Sequence, residues 1–140
     1  RPLLATRASQ YDPRVRSRIE RGATMSASAY IDLLNARQHW IVRMEAALAP
    51  YDALLSPTVP LVAPPIADVA PGAERDAEFF RVNALLLRNT SVVNMLDGCA
   101  LSLPCHMAGE LPVGLMVWHG ALHDDAVLNV GLQIEQILQK

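Results

Sequence analysis

A run of prolines near the middle of the chain most constrains how it can fold. Four prolines fall within nine residues, at Pro57, Pro60, Pro64 and Pro65. Proline fixes φ and lacks an amide hydrogen, so this stretch can continue neither a helix nor a central strand. It predicts an extended, ordered loop that runs to about Ala73.

Hydrophobic periodicity and capping residues predict four helices around this loop. Asp12 and Pro13 begin the first helix, and Thr24 or Ser26 caps the second, which is long and amphipathic. One face of the second helix should be buried through Tyr30, Leu34, Ile41, Met44 and Leu48. The expected ranges are Pro13 to Glu20, Met25 to Ala49, Glu74 to about Arg88 and Asp124 to about Leu138.

Three short apolar runs predict strands: Ala53 to Leu55, Cys99 to Leu103 and Val113 to Trp118. Gly109 and Pro112 separate the last two runs, which suits adjacent antiparallel strands. Strands mixed with amphipathic helices indicate an α/β fold in which helices cover a sheet. We expect residues 1–140 to form one piece, with open sheet edges that need cover.

Composition excludes several classes of protein. Half of the residues are apolar and the net charge is −2, which disfavours disorder. Eleven arginines are spread from Arg1 to Arg88, so no basic stripe suggests nucleic acid. The most apolar stretch, Val92 to Leu103, is too short and too interrupted to cross a membrane. Two cysteines without metal or redox spacing favour a reduced, cytoplasmic setting.

The densest group of possible metal ligands is His119, His123, Asp124 and Asp125. The two histidines are four residues apart, but the first ends a predicted strand and the second begins a helix. They should therefore not share a helical face. We expect a solvated turn in which the aspartates cap the helix, rather than a metal site.

No assembled nucleophile is recognisable in the sequence. Cys105 and His106 are adjacent and should point apart in extended backbone, and Cys99 should be an inert strand thiol. A Ser-Lys mechanism needs a lysine that can be desolvated, and the only lysine is Lys140, the terminal residue. We therefore expect no catalytic residue in this chain.

Segments distributed along the chain resemble, in order, the C-terminal third of amidase-signature enzymes. They match the family's proline-rich segment, its threonine-to-asparagine segment, two strands and the start of its last helix. These segments are Tyr51 to Pro65, Arg88 to Asn94, Gly98 to Pro104, Leu111 to Met116 and Asp124 to Leu128. The resemblance implies a mixed sheet wrapped by helices, in an enzyme that hydrolyses carboxylic amides through a Ser-cisSer-Lys triad without a cofactor.

The family's triad lies in an upstream Gly/Ser-rich segment with no counterpart here. The chain also begins with Arg1 and Pro2 instead of an initiating Met. We therefore expect a C-terminal fragment that is inactive alone. In related enzymes the segment that matches Thr90 to Asn94 lies along the acyl-binding channel. Thr90 and Asn94 are accordingly the substrate-pocket candidates.

Such a fragment should complete its fold against other polypeptide, either the upstream part of the same enzyme or a second copy. The substrate of the whole enzyme would be a small-molecule amide. The family includes the amide-hydrolysing subunit of tRNA-dependent amidotransferases, so a glutaminase activity that supplies ammonia is one variant of the expected reaction. The competing hypothesis is a non-catalytic α/β module that docks a partner through an exposed apolar surface.

Overall fold

The computed structural model describes residues 2–138, in which seven α-helices and three strands are present. The four predicted helices and three predicted strands are confirmed, and three short helices were not predicted. The α-helices are α1 (Pro2–Arg7), α2 (Pro13–Gly22), α3 (Ala27–Leu48), α4 (Ile66–Val69), α5 (Asp76–Arg88), α6 (Thr90–Met95) and α7 (Asp124–Leu138). The strands are β1 (Leu54–Pro57), β2 (Cys99–Pro104) and β3 (Gly114–His119), and the segments Ala8–Gln10 and Ala73–Arg75 are 3₁₀ helices.

The chain divides into two compact units, Arg1–Gln38 and His39–Lys140, with the boundary inside α3. In the first unit, α2 begins as predicted. The Asp12 carboxylate accepts a hydrogen bond from the Arg14 amide at 2.8 Å, and proline occupies the first turn. Hydrogen bonds from the Arg14 side chain and backbone hold the pKa of Asp12 below its ordinary value.

Helix α3 starts at the second of its two predicted caps, since the Ser26 hydroxyl accepts a hydrogen bond from the Ala29 amide at 3.1 Å. Its predicted buried face is correct only over the later half. Ile41 and Leu48 are buried, whereas Tyr30 and Leu34 are exposed. The apolar residues that contact the buried half come from the second unit and are Leu54, Leu96 and Trp118.

The sheet of the second unit has the strand order β1-β3-β2, and both strand pairs are antiparallel. Leu54 pairs with Trp118 on one side, and Cys99 pairs with His119 on the other. The central strand β3 buries Met116 and Val117, which point to opposite faces. An α/β fold with helices covering a sheet is therefore confirmed, and the strands of the described residues are all antiparallel.

Each face of the sheet carries its own apolar cluster. Trp118 and Leu54 pack with Ile41, Leu48 and Leu96 on one face. On the other face α7 covers the sheet, where Leu103, Val117 and Val127 are the buried residues. Helix α7 approaches closely because Gly131 faces Leu101, and a Cβ at Gly131 would overlap that side chain.

Helix α6 ends in a Schellman motif. The Gly98 amide donates to the Val93 carbonyl at 3.0 Å, and the Asp97 amide donates to the Asn94 carbonyl at 3.3 Å. Asp97 has a φ of 54°, a left-handed conformation that a short polar side chain tolerates. Gly98 then runs so close to the His119 carbonyl that a side chain would not fit.

No helix within residues 2–138 combines the length and the apolar character that a membrane crossing needs.

Candidate functional site

The structure brings the two predicted pocket residues, Thr90 and Asn94, onto one face of α6. They lie four residues apart in the same helix, so their side chains are neighbours. Thr90 is half-buried, and its hydroxyl makes long hydrogen bonds to the carbonyls of Leu86 and Leu87, at 3.4 and 3.5 Å. Asn94 is exposed. Val93 and Leu96 form the buried side of the helix.

Asn89, the residue between α5 and α6, connects this helix to the sheet. Its side-chain amide donates a hydrogen bond of 2.7 Å to the carbonyl of Pro57, the last residue of β1. Asn89 itself has helical φ and ψ, and its own carbonyl accepts from the Val92 amide. The junction therefore belongs to the first turn of α6 and is fixed to the sheet at the same time.

A pair of hydroxyl groups lies at the same end of the sheet. Thr58 Oγ1 and Ser102 Oγ are 2.5 Å apart, and the Thr58 amide donates to the Gly114 carbonyl at 2.8 Å. A Cβ on Gly114 would lie 2.6 Å from Ser102 Oγ and 2.7 Å from Thr58 Oγ1. The pair can form because Gly114 has no side chain.

A further hydroxyl group shares this face of the sheet. Ser56 and Ser102 both pair with Met116, from opposite sides, so the three side chains point the same way. In the described part of the chain, Ser56 Oγ is buried and has no hydrogen-bond partner. The end of this face therefore offers neutral hydroxyl and amide groups, which orient a polar ligand by hydrogen bonding rather than by charge.

These hydroxyl groups are not arranged as an activated nucleophile. The hydrogen bonds of Thr58, Thr90 and Ser102 lead to another hydroxyl or to carbonyl oxygens. An activated serine or threonine needs a base within hydrogen-bond reach. A substrate-pocket role for Thr90 and Asn94 remains a prediction from the sequence.

Sequence reasoning gave no role to Asn89, Thr58 or Ser102. Each lies within a segment that resembles the amidase-signature family, but resemblance alone does not show which side chains meet. The sequence gives one weak indication for Ser102. It is a polar residue between Leu101 and Leu103 in a predicted strand, so its side chain points to the opposite face of the sheet from theirs.

The histidine cluster is a structural contact. His123, Asp124 and Asp125 are exposed, as expected for a solvated turn, whereas His119, the last residue of β3, is buried. The tilted imidazoles of His119 and His123 lie with their ring centroids 3.8 Å apart. His119 Nδ1 accepts from the Gly120 amide at 2.7 Å, and Nε2 lies 3.2 Å from the Tyr51 carbonyl. Both ring nitrogens are thus occupied. Within residues 2–138, no three His, Cys, Asp or Glu side chains are grouped to hold a metal ion.

The cysteines are separate free thiols. Cys99 is half-buried in β2 and contacts the Gly120 carbonyl at 3.4 Å, and Cys105 is exposed and contacts the Val113 carbonyl at 3.5 Å. His106 Nδ1 accepts from the Val113 amide at 3.4 Å. The neighbouring thiol and imidazole of Cys105 and His106 therefore both contact backbone groups of Val113.

A cavity of about 420 Å³ lies between the β2–β3 connection and α7. Its lining includes Leu103, His106, Glu110 and Glu135, and the Glu110 carboxylate accepts a hydrogen bond from the Met107 amide at 2.9 Å. None of the polar residues at the α6 end of the sheet lines it. This cavity is therefore a different place from the candidate site.

Comparison with known proteins gives a consistent picture. A family model described as Amidase matches residues 2–128. A glutamyl-tRNA(Gln) amidotransferase subunit of Salinispora tropica is 30% identical over 141 residues, which cover 97% of this chain and 27% of that protein. The 2-amino-5-chloromuconic acid deaminase of Comamonas testosteroni is 26% identical and is covered over 28% of its length.

A solved structure described as that of an amidase is similar in fold. It superimposes with a TM-score of 0.73 at 28% identity, over 95% of this chain and 30% of that protein. The chain thus spans about a quarter of the length of the curated relatives that it matches.

Proposed function

Because this chain belongs to the amidase family, we propose that it is part of an enzyme that hydrolyses carboxylic amide C–N bonds. One observation carries this proposal: nearly the whole chain superimposes on less than a third of a solved amidase. Here the parent enzyme means the longer protein to which the chain would belong. Within it, this chain would supply scaffold and one wall of the substrate pocket.

The proposed wall is the face of α6 that bears Thr90 and Asn94. Both side chains are neutral, and both can donate and accept hydrogen bonds. Such groups suit an amide substrate, which is itself a neutral donor and acceptor. Val93 of α6 and Leu96, the residue after it, are buried, whereas Thr90 is half-buried and Asn94 is exposed.

The Ser-Ser-Lys triad of the parent enzyme would lie outside this chain. This proposal is supported by the hydrogen bonds of Thr58, Thr90 and Ser102, which within residues 2–138 lead to hydroxyl and carbonyl groups. Lys140 lies outside the described residues. The polypeptide that corresponds to the rest of the relatives would bring the nucleophile and its base, in a cytoplasmic enzyme without a cofactor.

That same polypeptide is the partner we propose for the exposed apolar residues. The first half of α3 leaves Tyr30, Ile31, Leu33 and Leu34 each about half exposed. Leaving such side chains in water forfeits roughly 25 cal/mol for each Å² of apolar surface. The relatives have about three-quarters of their length beyond the matched region, which is ample to cover this face. A second copy of the chain is the competing occupant.

A chimeric enzyme tests the proposed function. The region of the solved amidase that matches this chain is replaced by residues 1–140, and hydrolysis of simple primary amides is followed by ammonia release. We expect the chimera to hydrolyse amides and to be labelled by a fluorophosphonate on one serine outside residues 1–140. The isolated chain should show neither activity nor labelling.

Three results would count against the proposal. Stoichiometric labelling of a serine in the isolated chain would contradict a triad outside it. A folded chimera without amide hydrolysis would contradict the enzyme assignment. A dilution-independent, cooperatively unfolding monomer of the isolated chain that binds no hydrophobic dye would favour the non-catalytic interaction module instead.

A further inference from the structure

We infer that Asn89 is a positioning residue, whose side-chain amide fixes the orientation of α6 relative to the sheet and thereby sets the substrate wall formed by Thr90 and Asn94. The anchoring itself is independent of the proposed function. Its effect on substrate selection rests on that function.

Helix α6 is short and follows α5 after the single residue Asn89. It has six residues, fewer than an isolated helix needs to be stable in water. Val93 and Leu96 bury its apolar side, but apolar burial is not directional and does not by itself fix the rotation of a helix. A hydrogen bond prefers a narrow range of angles, so the 2.7 Å bond from Asn89 to Pro57 supplies a directional constraint between α6 and β1.

The acceptor of this bond is itself held in place. Pro57 pairs with Leu115 in the β1–β3 ladder, and the next residue, Thr58, donates its amide to Gly114 at 2.8 Å. The Thr58 hydroxyl then reaches Ser102 of β2. The Pro57 carbonyl therefore belongs to a segment fixed to all three strands. A hydrogen bond from Asn89 to this carbonyl therefore fixes the position of α6 relative to the sheet.

The chemistry of the contact requires a donor at position 89. A peptide carbonyl only accepts hydrogen bonds, and the amide group of asparagine donates. An aspartate of nearly the same shape would present a carboxylate oxygen to the Pro57 carbonyl and would repel it. The Asn89→Asp substitution consequently removes the bond while keeping the volume of the side chain.

Three variants of the chimera test this inference: Asn89→Asp, Asn89→Ala and, as the matched control, Asn129→Asp. Asn129 is exposed on α7, so its substitution adds the same charge without removing an anchor. The first readout is amide hydrogen exchange of residues 92–98 compared with that of α7. We expect both Asn89 variants to speed exchange of residues 92–98 by about 5- to 10-fold, with α7 unchanged, since one net hydrogen bond is lost.

The second readout is the kinetics of two primary amides that differ in acyl size. We expect the Asn89 variants to raise KM and to change the ratio of the two kcat/KM values by about 5- to 10-fold, with little change in kcat. A merely structural role would lower activity equally for both substrates.

The outcomes separate the two proposals. If the chimera with the native Asn89 is inactive, the proposed function fails, and the exchange experiment still decides whether Asn89 anchors α6. Any exchange pattern other than selective loss of protection in residues 92–98 overturns the inference. An effect seen with Asp but not with Ala also overturns it, because charge would then be the cause. An unchanged substrate ratio, despite selective exchange, overturns the role in setting the wall.

Discussion

The hydroxyl oxygens of Thr58 and Ser102 lie 2.5 Å apart although a whole strand, β3, separates the parts of the sheet to which they belong. Side chains on strands that do not pair with each other are usually too far apart for such a contact, because neighbouring strands are ~4.7 Å apart. They meet here above Gly114, which has no side chain to keep them apart.

Gly114→Ala should therefore destabilise the protein by about 1–3 kcal/mol, the usual cost of an overpacked site. The added methyl group would lie 2.6 Å from Ser102 Oγ and 2.7 Å from Thr58 Oγ1. Urea unfolding of the chimera measures the loss. Gly22→Ala is the control, because nothing lies within 4 Å of its added Cβ. Ser102→Ala in the Gly114→Ala background should restore part of the stability. Equal stability of both glycine variants would contradict the packing described here.

The two cysteines should react at different rates. Cys105 is exposed, whereas Cys99 is half-buried in β2 with its thiol against the Gly120 carbonyl. Under native conditions iodoacetamide should modify Cys105 first, and in denaturant both should be modified without prior reduction. Mass spectrometry of timed samples measures this order. Faster modification of Cys99 would contradict the greater exposure of Cys105. A mass that indicates a disulfide would contradict the two free thiols.

The hydrogen bonds of His119 predict that its proton lies on Nε2 and not on Nδ1. The Gly120 amide donates to Nδ1, so Nδ1 must carry a lone pair, and Nε2 is left to donate to the Tyr51 carbonyl. Long-range ¹H–¹⁵N correlation spectra at neutral pH distinguish the two tautomers. His119→Ala should cost about 1–3 kcal/mol of unfolding free energy, because it leaves the buried Gly120 amide without its acceptor. A proton on Nδ1 would refute the assignment.

Acid should remove the contribution of Asp12 to helix α2. The pKa of its carboxyl is lowered in the folded state, chiefly by hydrogen bonds from Arg14. The stabilisation is thus present above the ordinary value of about 3.9 and is lost as the pH falls through the lowered pKa.

The Asp12→Asn variant isolates this effect, because asparagine keeps a capping oxygen but has no charge. Far-ultraviolet circular dichroism should show less helix than the native sequence at pH 7, and the two should converge below the lowered pKa. Asp32→Asn, inside α3 and away from a cap, is the control. A difference that persists at the lowest pH would contradict the prediction.

The sequence predicted the larger elements because each carries a full hydrophobic period or an alternating run. Helix α6 was missed. Its six residues are too few for an amphipathic pattern, and three of them, Thr90, Val92 and Val93, are β-branched residues that favour strands. The pair Asp97-Gly98 was the sequence feature that could have indicated a helix, since both residues are suited to the position just after a helix ends.

Which apolar residues of a helix are covered could not be predicted from its pattern. Tyr30 and Leu34 have the same spacing as Met44 and Leu48, yet the later pair packs in an apolar cluster and the earlier pair is exposed. Periodicity identifies an apolar stripe but does not identify what packs against it. The same limit applies to Asn89 and Pro57, because their contact joins residues that are far apart in sequence.

The strand order β1-β3-β2 also has a consequence for how the molecule assembles. The last of the three strands along the chain is the one in the centre, so β1 and β2 have no partner in this sheet until residues 114–119 are available. During synthesis, β1 and β2 would therefore remain unpaired, with exposed backbone groups, until β3 has been made. Pairs as distant as Leu54 and Trp118 make sheet formation slow, so the helices should form first and the sheet should close last.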